Sequence, residues 1–331
     1  MTRPARIGIS FDGFQPVSEM LATARQAAAN GVRSVWMADH LGYREALTSC
    51  MALAAGVPDV TVVPTAISPF IRHPTPVAAG MATIAETNGG RAAIAIGSGN
   101  PLFLEESGAA IDKPVRAIRD FAQALRALWS GDPVRMDGLT FKLAGARLGF
   151  RPPTPIPVYI AAMKDQMLRL AGKIGDGVVL SGGLSPAFVE HSIKIVAEGA
   201  AEAGRDNALV ERAGYVYFLT TASTRAGYNV MKNRLAFLMR NRYIDDNIAH
   251  SGLPIDQAAI IDAVARRDMD RAAALVPDEA VEAFSVTGTA AACRAGIERY
   301  RNAGLDEVVL VMAGEPADRE LGMGVIREFL G

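Results

Sequence analysis

Eight apolar runs of strand length, separated by stretches of helical periodicity and ordered without a break, predict an α/β chain of the (β/α)8 TIM-barrel class with insertions. The runs are near-continuous Val, Ile and Ala, as a parallel sheet covered on both faces requires. They fall at residues 6–12, 34–38, 60–65, 92–97, 157–161, 177–180, 215–219 and 307–311. Amphipathic segments at 18–30, 74–87, 164–173, 185–203 and 289–303 lie between them. Several start on Ser or Thr and end near Gly or Asn, as capped helices do.

No Pro/Gly/Ser-rich linker divides the 331 residues, so a single domain spanning 1–331 is expected. A net charge of −1 with both signs interspersed gives no electrostatic case for nucleic acid or an anionic membrane. Two cysteines, Cys50 and Cys293, lie far apart in helical segments without a CxxC pattern, and no signal peptide or long apolar span is visible. A reduced, cytoplasmic setting follows. The four histidines, His40, His73, His191 and His250, show no HExxH or Cys/His spacing, so no metal site is expected.

Two stretches exceed a minimal barrel. Residues 100–150 hold a helix at 114–129 and a hairpin whose turn is Asp137-Gly138. Residues 223–286 are helix-like, with breaks at Gly252, Pro254 and Pro277. Insertions on the carboxyl side of barrel strands wall or cover the active site; a homodimer contact is the other use open to this one.

The strand ends carry the chemistry. Strand two stops in Asp39-His40, an acid and an imidazole on the face where barrel enzymes build their sites. Strand three runs into Thr65-Ala66-Ile67-Ser68-Pro69, where the backbone must turn near Ala66. Strand four ends in Gly97-Ser98-Gly99-Asn100, whose short side chains let backbone amides approach a flat or anionic ligand. Ala162-Met163 and Ser181-Gly182-Gly183 each precede a helix, and exposed amides at helix starts favour phosphate.

The collinear set Trp36-Met37-Ala38-Asp39-His40, Arg72-His73-Pro74, Gly97-Ser98-Gly99-Asn100, Tyr159-Ile160-Ala161-Ala162-Met163, Gly175-Asp176-Gly177 and Gly288-Thr289 resembles the bacterial luciferase-like superfamily, and within it the methylenetetrahydromethanopterin reductase branch. The resemblance implies a barrel whose carboxyl face binds the deazaflavin coenzyme F-420 or FMN. The ring would lie over strand three, on Ala66 and Ile67, and beside Gly97, Ser98, Gly99 and Asn100; the phosphate would lie near Ala162, Met163, Ser181, Gly182 and Gly183. It also implies a non-prolyl cis peptide at the third strand, by position Ala66–Ile67.

Asp39 and His40 match the family's strand-end pair and are the candidate catalytic residues. An imidazole titrates near neutrality and can exchange a proton as hydride moves. The bland reading of His40 is a strand-end ring bonded to a backbone carbonyl, and Asp39 could orient His40 or cap the next helix. Arg72 is read as pairing with a nearby carboxylate or a partner subunit, and His73 as preceding a Pro-started helix. Related sugar-phosphate dehydrogenases place a glutamate acid where Asn100 stands, which argues against a sugar phosphate as substrate. Glu105 and Glu106 are read as part of the same loop.

The function expected is a flavin- or coenzyme F-420-dependent oxidoreductase moving hydride between the ring and a small organic substrate. The alternatives are a two-component FMN-dependent monooxygenase served by a separate flavin reductase, and a non-catalytic flavin-binding relative.

Overall fold

The computed structural model describes residues 6–331. Along the chain the elements are β1 (Arg6–Phe11), α1 (Val17–Ala29), β2 (Ser34–Ala38), α2 (Ala46–Gly56), β3 (Thr61–Thr65), α3 (Pro74–Thr87), β4 (Ile94–Ile96), α4 (Pro101–Glu106), α5 (Pro114–Trp129), β5 (Val134–Asp137), β6 (Lys142–Ala146), β7 (Val158–Ala161), α6 (Asp165–Ile174), β8 (Gly177–Leu180) and α7 (Pro186–Glu202). They continue with β9 (Glu211–Thr220), α8 (Thr224–Met239), α9 (Asp245–Ser251), α10 (Gln257–Ala265), α11 (Met269–Ala274), α12 (Asp278–Phe284), β10 (Ser285–Gly288), α13 (Ala290–Asn302), β11 (Glu307–Met312) and α14 (Pro316–Leu330).

All eight predicted runs are strands, hydrogen-bonded in the order β3-β2-β1-β11-β9-β8-β7-β4. Isolated parallel bridges, Val62 to Ala92 and Ile67 to Ile96, link β3 towards β4. This is the parallel (β/α)8 fold, its strands alternating with helices along the chain. The predicted hairpin is the antiparallel pair β5–β6. The sequence reading lacked α4 and β10. The first is six residues long and the second four, lengths at which periodicity carries little signal.

The chain divides into two compact units. One, Ile9–Val179 and Val196–Glu211, holds β2 to β8 and helices α1 to α6. Within it α6 and the end of α7 meet backbone to backbone. A Cβ on Gly172 would overlap the Val196 carbonyl oxygen, and one on Gly199 would overlap the Arg169 carbonyl oxygen. The other unit comprises Leu180–Ile195 and Arg212–Gly331 with the start of β1. Its second core gathers Met231, Leu235 and Met239 of α8, Ile260, Val281 and Phe284 around Leu219 and Ala313, at the carboxyl ends of β9 and β11. The insertion 223–286 therefore stands on the carboxyl side of these strands.

The glycine contacts make a paired prediction. Gly199→Ala should cost about 1–3 kcal/mol in urea unfolding, because the methyl has only backbone to displace. Gly324→Ala, in α14 with nothing within 4 Å of the new methyl, should instead stabilise by about 0.4–1 kcal/mol. Equal effects at the two positions would contradict the close α6–α7 crossing.

Candidate active site

At the end of β2 the chain leaves the ladder through Asp39, whose N–H donates to the Thr65 carbonyl at 2.7 Å. The Asp39 carboxylate is 4% exposed and takes both Arg72 Nη2 at 2.7 Å and Arg72 Nε at 3.0 Å. Arg72 Nη1 reaches Glu45 at 2.8 Å. Glu45 in turn caps α2, accepting from Leu47 N at 3.1 Å and Thr48 N at 2.7 Å. Arg72 thus pairs with a carboxylate as expected, while neither alternative role read for Asp39 appears: its oxygens face the guanidinium, and the helix cap is Glu45.

The electrostatics follow from burial set against pairing. Burial pushes the Glu45 carboxyl up, but the Thr48 and Leu47 amides and the Arg72 charge outweigh it and leave it below its ordinary value. Burial likewise lowers Arg72, and Asp39 and Glu45 more than reverse it. Cys50, fully buried with Glu45 and Asp39 nearby, is pushed well up and held as an unreactive thiol.

His40 Nδ1 lies 2.8 Å from the Asp12 carbonyl. A carbonyl only accepts, so Nδ1 carries the hydrogen and Nε2 is the basic nitrogen of the neutral ring. Around the ring stand Phe14, stacked at 5.5 Å, Phe103 at 5.6 Å and Tyr43 at 6.5 Å between centroids. Phe14 and Tyr43 are half exposed.

The cis peptide is one bond earlier than the resemblance placed it, at Thr65–Ala66 rather than Ala66–Ile67. Thr65 still pairs with Ala38 on β2, whereas Ile67 has already turned to β4, donating to Ala95 O at 2.8 Å and accepting from Gly97 N at 3.1 Å. The change of partner falls before Ile67, not after it. Ile67 is wholly buried, so it supports the site from behind.

Ala66, Gly97 and Ala161 form a floor of small residues at the ends of β3, β4 and β7. A Cβ on Gly97 would sit 3.0 Å from each of the two alanine methyls. Gly99, with φ +86°, packs its α-carbon over Leu104 and Ser68. Ser68 ties the two loops together through its hydroxyl, which donates to Ser98 O at 2.9 Å. Asn100 Oδ1 accepts from Leu102 N at 3.0 Å and so starts α4, which makes Glu105 and Glu106 helical rather than loop residues. Asp39, Ala66, Ser68, Gly99, Asn100 and Phe103 line a small pocket.

Of the predicted phosphate amides, the one on Ala162 donates to Val179 O at 3.1 Å and belongs to the sheet. Met163 lies between it and α6. In the other unit, Ser181 is exposed, a Cβ on Gly182 would touch the Tyr217 ring at 3.8 Å, and Gly183 takes φ +71°. That loop is held by Asn247 of α9, wholly buried, whose Oδ1 accepts from Ser185 N at 3.1 Å and Ser185 Oγ at 3.0 Å, and whose Nδ2 donates to Gly183 O. Asn247, Phe14, Tyr43 and Phe103 were not found from the sequence. Only Asn247 left a trace there, as a polar residue on the apolar side of a helix.

A floor of two alanine methyls and a glycine suits a flat group, and among the described residues no cluster of three or more His, Cys, Asp and Glu could hold a metal ion. Fold and site together define the luciferase-like barrels. The family model described as luciferase-like monooxygenase matches residues 3–307, and the chain belongs to that family. It is 28% identical over 311 residues to the 5,10-methylenetetrahydromethanopterin reductase of Methanolobus tindarius, covering 93% of this chain and 94% of that one. The F-420-dependent glucose-6-phosphate dehydrogenase of Beutenbergia cavernae is 30% identical over 209 residues, 59% of this chain and 62% of its own. Among solved structures, the coenzyme F-420 dependent tetrahydromethanopterin reductase of Methanopyrus kandleri shares the fold with a TM-score of 0.90, at 24% identity over 99% of this chain and 98% of that one.

Arg72→Leu should cost about 3–5 kcal/mol in denaturant unfolding, because it strands the buried Asp39 carboxylate. Adding Asp39→Asn should recover most of that. No recovery would assign the loss to packing. The Glu45 carboxyl is lowered in the folded chain, so its contribution is complete above the unfolded value of about 4.3 and is lost as pH falls through the lower folded value. Glu45→Gln should therefore flatten the acid limb of the stability profile and leave its alkaline limb unchanged.

Proposed function

We propose that this protein is an oxidoreductase that binds coenzyme F-420 or FMN non-covalently and moves hydride between the ring and a small organic substrate. The observation that carries the reading is the small-residue floor of Ala66, Gly97 and Ala161 in the same unit as His40, whose Nε2 is left basic. Family membership and the relatives' named dependence on F-420 support it. When bound, the deazaflavin or flavin supplies the two-electron chemistry.

The chain's residues supply the rest. Ala66, Gly97, Ser98 and Gly99 would hold the ring against backbone with Ile67 buried behind them, and Asn100, whose Oδ1 caps α4, would keep its amide donor for it. The Ala162 amide, spent on Val179 O, takes no phosphate. His40 Nε2 accepts a proton from a substrate hydroxyl, or returns it once protonated, while the Asp12 carbonyl holds the ring in one tautomer. Asp39, gripped through both carboxylate oxygens by Arg72, positions the loop carrying His40. Phe14, Tyr43 and Phe103 keep water from the imidazole and offer the substrate an apolar wall. Glu105 and Glu106, held in α4, take no part.

The enzyme works in the cytoplasm, as a homodimer. No helix among the described residues is long and apolar enough to cross a membrane. The second reading is a two-component monooxygenase fed reduced FMN by a separate reductase, favoured by the family's own description; consumption of oxygen with reduced FMN distinguishes the two.

His40→Ala should keep the melting temperature and cofactor affinity near wild type and lower single-turnover rate by about 100-fold or more. A folded, cofactor-loaded variant working at the wild-type rate would remove His40 from the chemistry.

A further inference from the structure

We propose that the substrate is an uncharged, largely apolar carbinol or carbonyl compound, and that Phe14 and Tyr43 select it. The inference rests on the proposed function for the role of His40, and every residue it uses belongs to the unit that carries β2 to β8. Phe14 and Tyr43 are half exposed, yet both are fixed. The Phe14 N–H donates to Asp12 Oδ1 at 3.0 Å, and Arg44 Nη1 donates to the carbonyls of Gly13 at 3.1 Å and Phe14 at 2.9 Å. The Tyr43 N–H donates to His40 O at 3.1 Å, and the two rings meet with centroids 4.5 Å apart. Phe103, 6.3 Å from Tyr43, joins them to the pocket that it lines with Leu41 and Ile71. Aromatic rings held in place beside an imidazole and left open to water mark a surface that a ligand covers.

The fixed charges of the segments that meet here, residues 12–16, 39–45, 66–73 and 97–106, are engaged with the protein itself. Arg72 holds Asp39 and Glu45, Arg44 holds the two carbonyls, and Asp12 takes the Phe14 amide. Glu105 and Glu106 stand exposed on α4 and do not line the pocket. A carboxylate or phosphate on the substrate would find no uncommitted guanidinium, and an ammonium no uncommitted carboxylate, so either would lose water without compensation. His40 Nε2 supplies the polar contact instead, as an acceptor for a hydroxyl. One hydroxyl against an apolar remainder is the chemistry this wall matches.

Ligand-observed NMR titrations with 1-phenylethanol, mandelate and 2-amino-1-phenylethanol isolate charge, since all share the phenyl ring and hydroxyl and differ in a methyl, a carboxylate or an aminomethyl cation. The protein is titrated both with and without coenzyme F-420 or FMN. 1-Phenylethanol should bind about tenfold or more tightly than either charged carbinol, and than 2-propanol, which lacks the ring. Phe14→Ala and Tyr43→Ala should each weaken 1-phenylethanol about tenfold and leave mandelate unchanged, while Tyr43→Phe keeps the wild-type affinity. Thermal melts on each variant separate misfolding from lost binding. Mandelate binding as tightly as 1-phenylethanol, and releasing in Arg44→Leu, would make Arg44 an anion receptor and overturn the proposal. A preference for the amine, or equal affinity for 2-propanol, overturns it as well. A protein that takes up a ring and binds no carbinol overturns this proposal alone. Uptake of neither ring by wild type would instead refute the proposed function, and the order of the carbinols on the ring-free protein would then judge the wall by itself.

Discussion

The grip of Arg72 on the buried Asp39 carboxylate is the interaction on which the geometry around His40 depends. One guanidinium ties the end of β2, the loop between β3 and α3, and the start of α2 through Glu45. Those three segments carry or flank His40, and none has a regular ladder to hold it. A charge pair at this burial is kept only when its geometry is good, and here both Asp39 oxygens are matched by the Arg72 fork. His40 follows directly in the chain and is then fixed by a single hydrogen bond to Asp12 O.

With that clamp in place, the adjoining strand ends make a surface with two chemical characters. Towards β3, β4 and β7 it carries the small residues Ala66, Gly97 and Ala161, where a Cβ on Gly97 would already press on both alanine methyls. Towards β2 it carries an imidazole among aromatic rings. The first suits a ring that must lie close to backbone and the second a substrate that must give or take one proton, which is the division of labour a redox cofactor requires. Glu45 and Arg72, with their shifted titrations, serve the clamp rather than the reaction.

The fold was legible because buried parallel strands announce themselves as unbroken Val and Ile runs, and all eight are present as strands. The pairing of Arg72 with a carboxylate was legible as a need, although the choice of Asp39 was not: two residues 33 apart in the chain meet only once β2 and β3 are paired. The cis bond was misplaced by one residue because the exchange of ladder partners between Thr65 and Ile67 is decided by hydrogen bonds, which sequence does not display. Asn247 escaped for the same reason. It sits in a helical insertion 62 residues from the loop it holds, and its buried amide has meaning only in contact with Gly183 and Ser185.

The most direct test of the account is the absorbance of protein purified from a host that makes both coenzyme F-420 and FMN. The account predicts a deazaflavin or flavin chromophore that travels with the protein and is released on denaturation, because the floor and loops hold it without a covalent bond. Colourless protein that takes up neither ring when saturated with each would contradict it.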